Sequence, residues 1–136
     1  MSVMADPRDA PRGALAGQVA LVTGGSGGIG TAEGAQVVAT CRSNLARGQA
    51  LIASLPGSGH RIAMVSSTHS DQLTALVDEI RRDYGRLDML VNNAGTVGLQ
   101  TRVEAMDAAR INAIFATNVT GSFLCAREAV KRMSSR

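Results

Sequence analysis

The sequence has very few aromatic side chains. Among its 136 residues there are no tryptophans, one tyrosine and two phenylalanines, although 45% of the residues are hydrophobic. A core of this composition is aliphatic, and the surface lacks the stacking platforms with which proteins hold single-stranded nucleic acids. The net charge of +3 comes from lysines and arginines scattered along the chain. We therefore expect no nucleic-acid partner, whereas a small anionic ligand agrees with this charge.

Cysteine and histidine are equally scarce. Cys41 and Cys125 form neither a CxxC pair nor a metal-ligand spacing, and His60 and His69 have no ligand partner near them in the sequence. Metal sites and redox motifs are built on such spacings. We expect two buried thiols in a reducing compartment, two surface histidines and no metal site.

Long apolar runs are absent as well. No stretch approaches the ~20 apolar residues of a membrane-spanning helix. The first residues, Met1–Ala16, contain proline and charged residues and lack the apolar run of a secretory signal. We expect a cytoplasmic protein without membrane contact, in which residues 1–16 are a disordered leader and residues 17–136 form one domain.

Short apolar runs alternate with helical patterns along the rest of the chain. The predicted strands are Gln18–Thr23, Gln36–Cys41, Arg61–Ser66 and Leu87–Val91. The predicted helices are Ser43–Leu55, Ser70–Tyr84 and a long final helix from an Asp107 cap to about Met133. Nearly continuous apolar strands are typical of a parallel sheet covered on both faces. The alternation predicts a doubly wound α/β fold.

A glycine-rich segment, Gly24–Gly30, follows the first strand directly. Glycines permit a tight turn and let backbone N–H groups approach a pyrophosphate, and the start of a following helix adds a favourable partial charge. A triphosphate-binding loop of the Walker A type needs a lysine at position 31, where Thr31 stands. The segment therefore favours a dinucleotide over a nucleoside triphosphate.

Three motifs resemble those of one enzyme family. The letters TGxxxGIG at Thr23–Gly30, NNAG at Asn92–Gly95 and NVTG at Asn118–Gly121 are similar to motifs of the short-chain dehydrogenases/reductases. The resemblance runs from about residue 17 to 136, which is about half of a family domain. It implies a Rossmann-type parallel sheet, here of about four strands in the order 3-2-1-4. The implied activity is NAD(P)-dependent hydride transfer between carbonyl and alcohol groups.

The resemblance also implies which residues hold the cofactor. They follow the ends of the predicted strands, and they are Gly24, Ser26, Gly27, Gly28, Ile29, Gly30, Ser66, Ser67, Asn93, Ala94 and Gly95. By analogy, Asn93 is a clamp at the end of the sheet. Family members often have an aspartate after the third strand, where this chain has Ser66 and Ser67.

The end of the second predicted strand bears on the choice of cofactor. A carboxylate at this place accepts a hydrogen bond from the ribose 2′-hydroxyl of NAD. This chain has Arg42 and Ser43 there, with Asn44 and Arg47 on the same face. An arginine suits a 2′-phosphate, so we expect NADP(H) to be preferred, with NAD(H) as the alternative. A solvated surface arginine is the other interpretation of Arg42.

Asn118 interrupts an apolar stripe on the final helix. The stripe consists of Ile111, Ile114, Phe115, Ser122, Ala126, Ala129 and Met133. A carboxamide among apolar side chains must be hydrogen-bonded, so one interpretation is a satisfied core asparagine. In the family that the chain resembles, the matching asparagine belongs to the catalytic tetrad and holds a water of the proton relay.

The proton-transfer residues of that family do not occur in these 136 residues. The family uses a Ser and a YxxxK pair, whereas the sole tyrosine, Tyr84, is followed four residues later by Asp88. We expect a cofactor-binding half that is inactive alone. The alternatives are a non-catalytic interaction module, which pairs with a homologue or a second copy through the final helix, and a defective fragment.

The first crossover is short. Twelve residues separate Thr23 from Gln36, and the glycine loop uses about five of them. The remaining helix rises ~9–10 Å, whereas a parallel return must cover ~17–20 Å. We expect this crossover to be strained, mispaired or partly unfolded.

Overall fold

The computed structural model describes residues 13–24, 34–96 and 100–133. The strands in these ranges are β1 (Val19–Val22), β2 (Gln36–Cys41), β3 (Arg61–Met64) and β4 (Met89–Val91). The α-helices are α1 (Leu45–Ser54), α2 (Ser70–Tyr84), α3 (Ala108–Phe115) and α4 (Gly121–Met133). A 3-10 turn, Val103–Ala105, precedes α3, and a π-helical turn, Ala116–Thr120, joins α3 to α4. Residues 13–17 form a turn before β1, in which the Ala16 N–H donates to the Gly13 carbonyl at 2.9 Å.

The described strands form one parallel sheet in the order β3-β2-β1-β4. This confirms the predicted Rossmann-type fold class. β1 and β2 pair from Val19 with Gln36 to Val22 with Ala39. Of the three outcomes expected for the short crossover, mispairing is therefore wrong, because the two central strands keep the parallel register that lets helices cover both faces. Residues 25–33 lie outside the described residues, so strain or unfolding there stays a prediction.

Apolar layers cover both faces of the sheet. On one face, α2 and α4 pack over β1 and β2, with Leu21, Val38, Ile80 and Ala129 all fully buried. On the other face, Ile52 of α1 and Leu55, its C-cap residue, contribute to a second layer. Helices on both sides explain why the central strands have no polar face. The carboxyl ends of the strands are left as the open edge of the sheet.

The elements differ from the predictions mainly at their ends. α2 has the predicted bounds, and its C-cap is Gly85 at φ 77°, in the left-handed region. α1 begins at Leu45 because the Asn44 side chain accepts from the Arg47 N–H and caps the helix. β1, β3 and β4 are each shorter than predicted by two residues.

The predicted final helix is present from the Asp107 cap to Met133, but it is not regular throughout. The π-helical turn Ala116–Thr120 interrupts it. Such a turn holds one extra residue, which rotates the preceding segment by about 100° relative to the following one. The predicted stripe is therefore split: Ala129 is buried, whereas Ile111 and Phe115 are 38% and 59% exposed. The Asp107 cap is confirmed, because its side chain accepts from the Arg110 N–H.

At the amino edge of the sheet, the structure places His60 differently from the prediction. His60 is half-buried, its Nδ1 accepts from the Val37 N–H at 3.0 Å, and its Nε2 lies 2.8 Å from the Pro56 carbonyl. The prediction of a surface residue is wrong here, because the ring supplies the acceptor that β2 lacks before β3 begins. His69 is exposed, as expected. Both cysteines are free and buried, which confirms the prediction of two buried thiols.

No helix in the described ranges is both long and apolar enough to span a membrane. Within the same ranges, no three side chains of the metal-ligating types lie close enough together to hold an ion.

Candidate functional site

A cleft of about 410 Å³ lies at the carboxyl edge of the sheet. Its walls come from the segments that follow all four strands. The predicted cofactor residues that line it are Gly24, Arg42, Ser43, Ser66, Ser67, Asn93, Ala94 and Gly95. Ser26, Gly27, Gly28, Ile29 and Gly30 lie outside the described residues. Residues up to 71 positions apart in the sequence thus meet at one place, because the carboxyl ends of parallel strands share an edge.

The buried hydroxyl of Thr23 joins β1 to the segment after β4. Its Oγ1 accepts from the backbone N–H groups of Asn93 and Ala94, both at 3.2 Å. The same hydroxyl donates to the Val91 carbonyl at 3.5 Å. Thr23 is 1% exposed, so these bonds satisfy a group that would otherwise be costly to bury. The NNAG turn is thereby fixed against the start of the glycine-rich segment.

Gly24 is held from both neighbouring strands. The Asn93 side-chain amide donates to the Gly24 carbonyl at 3.1 Å, and the Gly24 N–H donates to Thr40 Oγ1 at 3.2 Å. Its φ of 66° lies in the left-handed region that favours glycine. A Cβ at this position would stand 2.7 Å from the Ala94 Cα. Gly24, the second residue after β1, therefore has one orientation and no space for a side chain.

The segment after β2 makes one end of the cleft positive. Arg42 and Arg47 both line it, and none of the described lining residues is acidic. The N-terminus of α1 opens at the same place, with its first turn capped by Asn44. A helix N-terminus carries a partial positive charge. The arrangement attracts an anion, and Arg42 is exposed and positioned to contact one.

Ser66 and Ser67 follow β3 and form a further wall of the cleft. The hydroxyls of Ser66 and Thr68 share a hydrogen bond at 2.9 Å, and the Ser66 N–H donates to Gln72 Oε1. Ser67 packs against Gly121 at the start of α4, where a Cβ would come within 2.8 Å of the Ser67 Oγ. Gly121 therefore allows α4 to approach this wall closely.

The Asn118 side chain is bonded to the backbone of Thr96. Its Oδ1 accepts from the Thr96 N–H at 2.7 Å, and its Nδ2 donates to the Thr96 carbonyl at 2.8 Å. The Asn118 carbonyl accepts from Ser122 Oγ at 3.0 Å. Thr96 lines the cleft, whereas Asn118 lies behind it, within the π-helical turn. The carboxamide thus joins the irregular turn to the wall of the cleft.

Several further residues line the cleft without having been predicted from the sequence. They are Thr40, Cys41, Val65, Thr96 and Thr117. Thr40 and Cys41 end a predicted strand, and the general rule that ligands bind at the carboxyl ends of parallel strands was a signal for them. Thr117 is the neighbour of Asn118 and lies in the π-helical turn, for which the sequence gives no signal.

The described residues fit a dinucleotide. Gly24 offers a backbone without a Cβ, two arginines and a helix N-terminus offer positive charge, and Ser66 and Ser67 offer hydroxyl groups. Such a combination suits an adenine nucleotide with phosphate groups.

Comparison with known proteins gives a single family. Residues 18–136 match the family described as short chain dehydrogenase. The chain is 42% identical over 125 residues to "Uncharacterized oxidoreductase YgfF" of Escherichia coli (strain K12), covering 85% of this chain and 51% of that protein. It is 38% identical over 125 residues to a 3beta-hydroxysteroid dehydrogenase of Mediterraneibacter gnavus, covering 85% of this chain and 45% of that protein.

Solved structures agree with this match. An NAD+-bound xylitol dehydrogenase superposes with a TM-score of 0.80 at 27% identity, covering 88% of this chain and 49% of that one. A short chain dehydrogenase from Burkholderia cenocepacia J2315 in complex with NADP superposes with a TM-score of 0.78 at 30% identity, covering 88% and 52%. The chain spans about half the length of the relatives that it matches.

Proposed function

Because the chain belongs to the short-chain dehydrogenase family, we propose that it is the cofactor-binding half of an NAD(P)-dependent oxidoreductase acting on carbonyl or alcohol groups. The observation that carries this proposal is the cleft at the carboxyl edge. It collects Gly24, Arg42, Ser66 and Asn93 from the ends of four different strands. The relatives include one structure with NAD+ and one with NADP.

In this proposal the chain's own residues bind and orient the cofactor. Gly24 and the glycine-rich segment that it opens would bind the pyrophosphate, and Ser66 and Ser67 would contact the adenine. Asn93 would clamp the end of the sheet, and Ala94 and Gly95 would line the ribose and nicotinamide side. The bound nicotinamide would supply or accept the hydride. Asn118 has its carboxamide bonded to Thr96, so we propose that it serves the reaction by holding this wall in place.

We further propose that NADP(H) is preferred to NAD(H). The support is Arg42, an exposed cation at the end of β2 in a cleft without an acidic residue among its described lining. A guanidinium can form two charge-assisted hydrogen bonds with a 2′-phosphate. A carboxylate at this place would repel that phosphate, and none stands there.

Calorimetric titration of the purified chain with NADPH and with NADH tests both proposals. We expect saturable binding of both, with NADPH tighter. Arg42→Ala should lower the affinity for NADPH by roughly tenfold, the effect of losing one charge-assisted contact. The affinity for NADH should stay nearly unchanged. Binding of neither cofactor to a folded chain contradicts the proposed function. An equal loss of affinity for NADPH and NADH in Arg42→Ala would contradict the NADP preference but not the proposed function.

We also propose that these 136 residues bind the cofactor without turning over substrate, since they contain no YxxxK pair. Incubation of the purified chain with NADPH and a panel of ketones and aldehydes should give no protein-dependent loss of absorbance at the reduced nicotinamide band. NADPH oxidation that scales with protein concentration, and that disappears in Gly28→Val, would contradict this.

A second candidate function, as an interaction module, is favoured by the final helices. Phe115, Val119, Phe123 and Val130 are 59%, 44%, 74% and 57% exposed. An apolar surface of this kind is typical of a protein contact, and we propose a second copy or a full-length homologue as the partner. Size-exclusion chromatography should show a dimer, or a complex with the homologue, that Phe123→Glu dissociates. A monomer that binds no homologue would overturn the proposal.

A further inference from the structure

We infer that the hydroxyl group of Thr40 positions the start of the glycine-rich segment for the cofactor; this inference rests on the proposed function. Thr40 lies near the carboxyl end of β2 and is 4% exposed. Its Oγ1 accepts from the Gly24 N–H at 3.2 Å, and it lines the cleft. The bond joins β2 to Gly24, two residues beyond the end of β1. Thr40 contacts the protein backbone, so it is a positioning residue.

Each polar group of the Gly24 backbone has a fixed partner. The carbonyl is bound by Asn93, which follows β4, and the N–H is bound by Thr40, which belongs to β2. Ala94 closes the side on which a Cβ would stand. The two hydrogen bonds come from opposite sides of β1, and together they fix the direction in which the chain enters the glycine-rich segment. Asn93 binds only the Gly24 carbonyl, so Thr40 is the residue that supplies an acceptor for the Gly24 N–H.

Thr40 also connects the two parts of the proposed cofactor site, the end of β2 and the start of the glycine-rich segment. Arg42 stands two residues after Thr40, at the end proposed for the 2′-phosphate, whereas Gly24 opens the segment proposed for the pyrophosphate. Loss of the hydroxyl leaves Arg42 and its charge in place but removes the acceptor of the Gly24 N–H. Because NAD(H) and NADP(H) share the pyrophosphate, the inference requires both to lose affinity by the same factor.

The test is a titration of the chain and three variants with NADH and NADPH. Thr40→Val keeps the shape of the side chain and removes the hydroxyl. It should lower the affinity for both cofactors by roughly tenfold, the effect of one buried hydrogen bond. Thr40→Ser restores the acceptor and should bind within about threefold of the unchanged chain. Thr74→Val is the matched control, because Thr74 donates to the Ser70 carbonyl within α2, away from the cleft; it should leave both affinities unchanged.

Several results would overturn the inference. They are unchanged affinity in Thr40→Val, a loss confined to NADPH, and a Thr40→Ser variant as weak as Thr40→Val. If Thr40→Val fails to fold, amide hydrogen exchange of Gly24 in the unchanged chain decides instead. The inference requires a protected amide, and exchange at the rate of an unstructured peptide contradicts it. Failure of the unchanged chain to bind either cofactor refutes the proposed function, and the Gly24 amide then still reports whether Thr40 holds it.

Discussion

At the carboxyl edge of the sheet, Gly24 is required for two separate physical reasons. Its φ of 66° is a conformation that side chains with a Cβ rarely adopt, and the Ala94 backbone occupies the space where a Cβ would stand. Gly17 shares only the first reason, since its φ is 81° and no atom beyond its two chain neighbours lies within 4 Å of the place that a Cβ would occupy. Substitutions at the two glycines therefore distinguish the cost of backbone strain from the cost of close packing.

Gly24→Ala should lower the free energy of unfolding by roughly 2–5 kcal/mol, the sum of left-handed strain and overpacking. Gly17→Ala should lower it by about 1–2 kcal/mol, from strain alone. Urea denaturation of both variants and the unchanged chain measures the difference. Equal losses in the two variants would show that Ala94 gives way at no cost and that the close approach does not fix the turn.

Motif residues were predictable from the sequence, and their supporting residues were not. Gly24 and Asn93 lie in short patterns whose glycines and amides have a direct chemical purpose. The place of Thr40 near the carboxyl end of a predicted strand indicated that it lies near the site, but its hydrogen bond to Gly24 was not predictable. That bond depends on which strand lies beside β1 and on the direction of one side chain. The interpretation of His60 failed for the same reason: its partner Val37 is distant in sequence and is brought near by strand pairing.

Among the elements, α4 carries a buried carboxylate that fixes its contact with the rest of the fold. Glu128 is 3% exposed, and its Oε1 accepts from Lys131 at 3.0 Å and from Arg127 at 2.9 Å. Arg127 in turn donates to Ser70 Oγ at the start of α2. The hydrogen bond from Lys131, followed by that from Arg127, lowers the pKa of Glu128 in spite of burial.

Acid should therefore weaken the packing of α4. A carboxyl group whose pKa is lowered on folding stabilises the protein above its ordinary pKa of 4.5, and this contribution is lost as the pH falls through the lowered value. Glu128→Gln should cost about 1 kcal/mol at pH 7, since its partners are half-exposed, and less at acidic pH. Urea denaturation at pH 7 and pH 3.5 measures this.

Glu104→Gln is the control, because Glu104 pairs with Arg102 at an exposed site. It should change the free energy of unfolding little at either pH. A cost for Glu128→Gln that is the same at pH 7 and pH 3.5 would contradict the assigned role of the Glu128 charge.

Regular elements were predictable and irregular ones were not. The bounds of α2 follow from its apolar spacing and from Gly85, which ends the helix in the left-handed region. The π-helical turn has no comparable sequence signal. Its extra residue accompanies the pair of hydrogen bonds between Asn118 and Thr96, a tertiary contact that no helical periodicity records.

For the whole molecule, the order of the strands explains why one edge holds the candidate site. Parallel strands direct every carboxyl end to the same side, where the described chain has its glycine turn, its arginines and its Asn93 clamp. The opposite, amino edge is closed by side chains that cap the strands: Asp88 accepts from the Val19 N–H at 2.9 Å, and His60 accepts from Val37. The strand order was predictable from the family resemblance, whereas these caps depend on pairing.

The cleft itself can be tested by an NMR titration of isotopically labelled chain with NADP+. We expect the largest chemical-shift changes on amides at the carboxyl edge, such as Gly24, Thr40 and Asn93. The chemical shifts of the Val19 and His60 amides, at the amino edge, should not change. A folded chain whose spectrum does not change, or changes most at the amino edge, would contradict the claim that this cleft binds the dinucleotide.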